Sequence, residues 1–332
     1  MNVKARLAVA AVSGGLLMIG FGMGNAQADP QGAPTFRQLS GVGSDTTQDV
    51  MNAMANAITI GGVKVIGSYD AVGASPITTK DPATTPGCTM TRPNGSGAGR
   101  TALLTSLQAA NGCLDFSRSS ALNLAASSPS LTYIPFAVDG VTFSVTSTSV
   151  VSRNLNLTDL QAYYHCDPAY VGPGPIFDVT PILPQAGSGT RSFWETQMGI
   201  LDADVNAGVF PCIINGVKNG QPIEEHTGTA LDDKSIIPFS IPQYNSQAVQ
   251  LISDKRGRGQ VGVVNGTYPN VMNGSFSIRR DVYNVIPTSQ IGTAPTSTVF
   301  VGPTSLICTN GAIITKFGFA LNPNCGDTSQ HS

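Results

Sequence analysis

Charge is scarce in this sequence: Asp, Glu, Lys and Arg make up 11% of its 332 residues and nearly cancel, to a formal −2. A nucleic acid or an anionic membrane calls for a basic surface, so both are excluded as main partners. An anion held by this chain has to be held locally, by amides, hydroxyls and one or two guanidinium groups. Histidine is scarcer still, at three residues (His165, His226 and His331), and the spacings CxxC and HxxxH do not occur. No metal and no cofactor is therefore expected. The Gly-x-Ser-x-Gly nucleophile elbow is missing as well, since Ala186 precedes Gly187-Ser188 and Asn94 precedes Gly95-Ser96. The acidic pairs Glu224-Glu225 and Asp232-Asp233 are adjacent in sequence and read as solvated loop residues. With no dedicated base and no metal cluster, catalysis is not expected.

Long apolar runs are also lacking, with one exception at the start. Lys4 and Arg6 precede an apolar stretch over residues 7–23, and Ala26-Gln27-Ala28 follows with the small-x-small pattern of a signal-peptidase site. Gly14, Gly15, Gly20, Gly22 and Gly24 make this stretch a poor membrane span, and no later run reaches the roughly 18 apolar residues a span needs. Residues 1–28 are expected to be a cleaved signal peptide. The first cysteine is Cys88, too far from the cleavage site to carry a lipid anchor. The mature chain is thus expected to be secreted or extracytoplasmic, in periplasm or cell wall, with no membrane insertion after cleavage. Loss of Lys4 and Arg6 takes the formal charge to −4 and leaves 304 residues.

What is abundant is turn-forming: 37 Gly and 22 Pro, with many Ser, Thr and Asn. That is the composition of an extracellular chain with many loops, not of a coiled or disordered one. Six cysteines in an exported chain read as disulfides. Cys88–Cys113, Cys166–Cys212 and Cys308–Cys325 is the expected pairing, because sequential loops stay within one lobe; spacing alone leaves the other pairings open. The length exceeds one comfortable core and predicts two lobes.

Helical spacing predicts helices over 46–58 with Thr46 as N-cap, from 96 to Asn111-Gly112, over 157–164, from 190 to about 198, and over 247–253. Strands are expected at 63–68, 131–138, 141–146, 182–184, 260–264, 281–285 and 298–301. Their alternation argues an α/β fold with largely parallel sheets.

Three segments share one design, a Gly-Ser or Gly-Thr turn feeding a helix: Gly43-Ser44-Asp45-Thr46, Gly95-Ser96-Gly97 and Gly187-Ser188-Gly189-Thr190. The first turn of a helix carries unpaired N–H groups and the positive end of the helix dipole. One such turn is an ordinary helix cap, but three in one chain can converge on a single anion. Arg118 and Arg191 are the guanidinium candidates, each with a planar fork suited to a tetrahedral oxyanion and each equally suited to bracing a loop. Arg92 is a weaker third.

Five segments in order, 41–47, 92–99, 115–120, 136–141 and 187–191, resemble the periplasmic phosphate-binding proteins of ABC transporters, which have the type II solute-binding fold. The helix at 158–164 matches a landmark of that family. The similarity covers most of residues 40–265 and is greatest to a secreted, actinobacterial-like branch, whose tail resembles Arg279-Arg280-Asp281-Val282-Tyr283-Asn284. The resemblance implies a two-lobed fold with a ligand cleft, lobe one combining 36–136 with 240–332 and lobe two spanning 137–239. It implies hinge closure on inorganic phosphate or a related oxyanion, an ABC permease as partner, and a monomer. Carried over residue by residue, the holders are Ser44, Asp45 and Thr46; Ser96; Ser120; and Ser188, Gly189 and Thr190. Two positions depart from the family: Ser120 stands where it has a second acidic residue, and its upstream Arg falls near Pro184. A carboxylate accepts a hydrogen bond from a protonated phosphate oxygen and repels a fully ionised anion, so its loss weakens discrimination against sulfate. The rival readings are a surface binding protein of the same fold without a transporter and a phosphatase-like enzyme.

Overall fold

Short runs of β-branched and aromatic residues, broken by glycine-rich turns, produce ten strands of a single sheet in the computed structural model. The structure describes residues 29–168, 170 and 179–332, so the expected leader 1–28 lies outside the described residues. In chain order the strands are β1 (Leu39–Gly43), β2 (Ile66–Ser68), β3 (Phe116–Ser119), β4 (Leu131–Thr146), β5 (Thr180–Leu183), β6 (Ile214–Asn215), β7 (Ser235–Ser240), β8 (Gly259–Val261), β9 (Arg279–Pro287) and β10 (Ala320–Leu321). Across the sheet they run β6-β5-β7-β4-β9-β3-β1-β2, with β8 and β10 also paired to β4. The principal helices are α1 (Gln48–Ala57), α2 (Ser96–Gln108), α3 (Leu157–Tyr164), α4 (Gly189–Met198), α5 (Asp202–Asn206) and α6 (Ile241–Ala248).

The expectation of largely parallel pairing is corrected. Only the two ends are parallel, β3-β1-β2 and β7-β5-β6. The centre is antiparallel, because β4 runs from one apolar core into the other and β7 and β9 pair with it in the reverse direction. Expected as two strands, β4 is one strand of 16 residues, with only Val138 less than fully buried. Asp139-Gly140 interrupts the apolar pattern without breaking the strand. The Asp139 carboxylate is matched by Arg280 and Ser240, and a Cβ at Gly140 would sit 2.8 Å from Val271. Here both edges of β4 change partner. On one edge β9 pairs as far as Gly140 and β8 takes over at Ser144; on the other, β10 covers Ala137 and Val138 and β7 begins at Val141.

Two large cores flank that exchange. One gathers Leu39, Val50, Met54, Phe116, Phe136 and Phe319; the other gathers Phe143, Leu160, Tyr164, Trp194, Ile236 and Phe276. Val264, Val271, Phe276 and Ile278, assigned by the sequence reading to the first lobe, bury their side chains in the second core. Three element boundaries differ from expectation. Helix α1 begins after Thr47, which makes no side-chain cap bond, because the Thr46 hydroxyl is engaged elsewhere. Helix α6 starts well before residue 247, since the Ser240 side chain accepts from Gln243 N and Pro242 sits in the first turn, a favoured start. Residues 298–301, β-branched or aromatic and expected as a strand, fall largely in the helix Thr296–Phe300, where packing of Val299 and Phe300 in the first core overrides propensity. The disulfides are Cys88–Cys113, Cys166–Cys212 and Cys308–Cys325. Among the described residues, no helix is long and apolar enough to cross a membrane.

Candidate functional site

The three glycine-rich turns meet. Each has a glycine in the left-handed region, Gly43 at φ 119°, Gly95 at φ 97° and Gly187 at φ 85°. The approach leaves no room for side chains: a Cβ at Gly95 would lie 2.5 Å from Gly187 O, and one at Gly99 would lie 2.5 Å from Gly43 Cα. The second and third turns are joined directly, with Gly97 N donating to Gly187 O at 3.0 Å. Glycine is needed because backbone packs on backbone.

At the junction lies a buried cluster of hydroxyls. Thr46 Oγ1, from the loop before α1, is 3.2 Å from Ser120 Oγ at the end of β3 and 3.3 Å from Thr190 Oγ1 in the first turn of α4. Ser120 N donates to Ser96 Oγ at 3.0 Å, and the two hydroxyl oxygens are 3.3 Å apart. Gly189 sits against them, so close that a Cβ there would be 2.4 Å from both Ser96 Oγ and Ser120 Oγ. Ser188 caps α4, accepting from Arg191 N at 2.9 Å. Thr46, Ser120, Ser188 and Thr190 are completely buried. Six expected holders, Thr46, Ser96, Ser120, Ser188, Gly189 and Thr190, are therefore brought together from four distant parts of the chain.

Four residues that sequence reasoning did not place in the site complete it. Glu225 Oε2 accepts from Thr190 Oγ1 at 2.7 Å and from Thr46 Oγ1 at 3.0 Å. His226 Nε2 lies 3.2 Å from the same oxygen and 3.1 Å from Thr46 Oγ1. Its Nδ1 accepts from Ser240 N at 3.4 Å, which leaves the ring proton on Nε2, facing the carboxylate. Burial pushes the Glu225 carboxyl up, but hydrogen bonds and charge from His226, with hydroxyl bonds from Ser188 and Thr190, outweigh it and hold the group at about 2. Arg280 enters from β9. Its Nη2 donates to Thr190 Oγ1 at 2.9 Å and its Nη1 to Gly189 O at 2.9 Å, while Asp139 Oδ2 accepts from Nε at 2.9 Å. Glu225 was read as a solvated loop residue, because an adjacent acidic pair in a polar loop looks exposed. A usable signal for Arg280 was its place in an alternating run with Val282 and Asn284, all three buried.

The remaining candidates lie elsewhere. Arg118, expected to face the anion, is corrected: it is wholly buried and donates to Ser68 Oγ and to the carbonyl oxygens of Gly41, Gly43, Ser44 and Tyr69. Those carbonyls, at the carboxyl ends of β1 and β2, consume every direction of its fork. Arg191 is corrected in the same way. It pairs with Glu195 at 2.9 Å and Asp202 at 2.5 Å and donates to Pro184 O and Asn215 Oδ1. The Ser44 hydroxyl is buried with no hydrogen-bond partner among the described residues. Asp45 does not join the hydroxyls but lines a cavity of about 230 Å³ with Asp49, Asp70, Lys255, Glu225 and His226. A second cavity of about 280 Å³ reaches the cluster beside Ser96, Ser188 and Gly189. Among the described residues no group of three or more His, Cys, Asp or Glu could hold a metal ion.

No protein-family model and no curated protein matches this sequence. Solved structures do. A putative phosphate ABC transporter substrate-binding protein with bound phosphate, from Clostridium perfringens, aligns with a TM-score of 0.54 at 15% identity, over 86% of this chain and 99% of its own. An ABC-type phosphate transport receptor from Vibrio cholerae aligns with a TM-score of 0.51 at 15% identity, over 86% and 100%. At such identity the likeness speaks for architecture alone, and the chain has the two-lobed α/β fold of periplasmic binding proteins.

Proposed function

We propose that this chain is an extracytoplasmic solute-binding protein that captures a tetrahedral oxyanion, inorganic phosphate first among them, for uptake by an ABC permease. The observation that carries the reading is the convergence of Thr46, Ser96 and Ser188–Thr190, from three turn-to-helix segments, with Ser120 at the end of β3, on one buried point between the two cores. Hydroxyls and helix N-termini supply hydrogen-bond donors without a strong fixed charge, which suits reversible capture of an anion. The fold is shared with a Clostridium perfringens protein that holds phosphate.

In this reading the lobes are 36–136 with 240–332, and 137–239, except that the stretch 264–278 joins the second lobe, whose core it packs in, and they close like a hinge on the ligand. Closure removes water and strengthens each hydrogen bond to the anion by lowering the local dielectric. Arg280, held by Asp139 but with two donors turned to the Gly189-Thr190 turn, takes the place expected for Arg118 and Arg191. Export, a free mature chain and the secreted, actinobacterial-like branch belong to the same reading, and the three disulfides suit an oxidising compartment.

Calorimetry on protein unfolded and refolded to strip retained ligand tests it. Phosphate and arsenate are expected to bind, with sulfate competing because Ser120 replaces a carboxylate. Absence of heat with all three anions would refute the reading.

A further inference from the structure

The donors that define the oxyanion site already surround an oxyanion. Glu225 Oε2 takes hydrogen bonds from Thr46 and Thr190, one from each side of the junction, and faces His226 Nε2. These are the hydroxyls that a captured anion would need. Glu225 and His226 are 2% and 3% exposed, so the carboxylate is buried among its donors and not resting at the rim. Arg280, whose Nη2 reaches the same two threonine hydroxyls, is paired through Nε and Nη2 with Asp139 Oδ2, at 2.9 and 2.7 Å. The Glu225 carboxylate therefore draws its hydrogen bonds, through Oε2, from the hydroxyls that the site presents to a guest, with the His226 ring beside it.

The backbone points the same way. His226 has φ 58°, a left-handed conformation for a residue with a side chain, which persists only when surroundings enforce it. Its ring and carbonyl supply that enforcement, through Ser240 N to Nδ1 and Gln247 Nε2 to the carbonyl oxygen at 3.0 Å. The strained residue is the one next to the buried carboxylate. Glu225 and His226 also border the cavity of about 230 Å³, which gives the displaced side chain somewhere to go.

Resting on the reading of this cluster as an oxyanion site, we propose that Glu225 is its resident occupant, an internal carboxylate that an external anion must displace. Binding then exchanges one anion for another within the Thr46–Thr190–His226 donor set. Glu225 sets affinity by competition, and an anion too weakly held to expel it is excluded. No covalent step is involved.

The test compares the wild-type chain with Glu225→Ala and Glu225→Gln, each checked for native circular dichroism. Calorimetry uses inorganic phosphate, and thermal melting uses added formate, a free carboxylate small enough for the vacated space. The Ala variant is expected to bind phosphate about tenfold or more tighter than wild type. Formate is expected to raise its melting temperature and to leave the wild-type value unchanged. Should the Ala variant fail to fold, the Gln variant keeps the side-chain volume while removing the charge, and a gain of about threefold or more is expected from it. Phosphate binding by wild type, with equal or weaker binding by the folded variant, overturns the proposal and leaves the phosphate reading standing. Measurable binding by wild type together with tighter binding by the variant supports the proposal. If phosphate and formate are both without effect on every folded protein, the proposal and the site reading fall together.

Discussion

Asp45 shows how one turn serves two environments. Its neighbour Thr46 points into the hydroxyl cluster, whereas the Asp45 carboxyl faces a cavity shared with Asp49, Glu225, His226 and Lys255. Burial pushes that carboxyl up to about 7, with attraction from His226 opposing and repulsion from Glu225 adding. A carboxyl raised on folding holds its proton more tightly in the native chain than in the unfolded one. Its contribution to stability therefore grows as pH falls below about 7 and is complete below the unfolded value of about 3.9. Asp45→Asn is expected to exceed wild type in stability at pH 8 by about 1–3 kcal/mol and to lose most of that advantage by pH 5, as urea denaturation at the two values would show. An equal advantage at both would show that ionisation of Asp45 is not the cause. Glu225 has the opposite sign: its stabilisation is present above an unfolded value of about 4.3 and is lost as pH falls through about 2. Turn chemistry, which is local, made Thr46, Ser96 and the Ser188-Gly189-Thr190 turn legible, and Ser120 came from the family resemblance alone. Glu225, Asp139 and Arg280 were not, because a buried charge looks like a surface charge until its partner is known, and Asp139 and Arg280 are 141 residues apart.

Among the elements, Arg191 is a tie. One guanidinium joins the end of β5 through Pro184 O, β6 through Asn215, α4 through Glu195 and α5 through Asp202. Glu195 is 4% exposed, so truncating the arginine strands a buried acid. Arg191→Ala is expected to cost about 2–4 kcal/mol in urea denaturation, while phosphate affinity measured by calorimetry stays within about threefold of wild type. A large loss of affinity in a stable variant would return Arg191 to the binding set. Trp194, in the same helix, is fully buried in the second core with its ring 6.0 Å from that of Tyr164. Its emission reports the integrity of that core. Helices α2, α3 and α4 could be read from sequence because each opens with turn or cap residues and carries apolar spacing. Helix α6 and the direction of the central strands could not, since Ser240 and β4 take their roles from partners remote in the chain.

For the whole molecule, the telling fact is that the cores share strands. Ile134, Phe136 and Ala137 of β4 belong to the first, and Val141, Phe143 and Val145 to the second. Neither can lose β4 and survive. Differential scanning calorimetry is expected to show one cooperative transition, with calorimetric and van't Hoff enthalpies in agreement. Two separated transitions would mean that the lobes stand alone.

The partner exchange along β4 makes Asp139 the fulcrum of the molecule. From there the guanidinium of Arg280 reaches outward to Thr190, one of the hydroxyls of the proposed anion site. In the proposed reading, a guest that shifts this threonine therefore pulls, through one guanidinium, on the point where β4 changes partners.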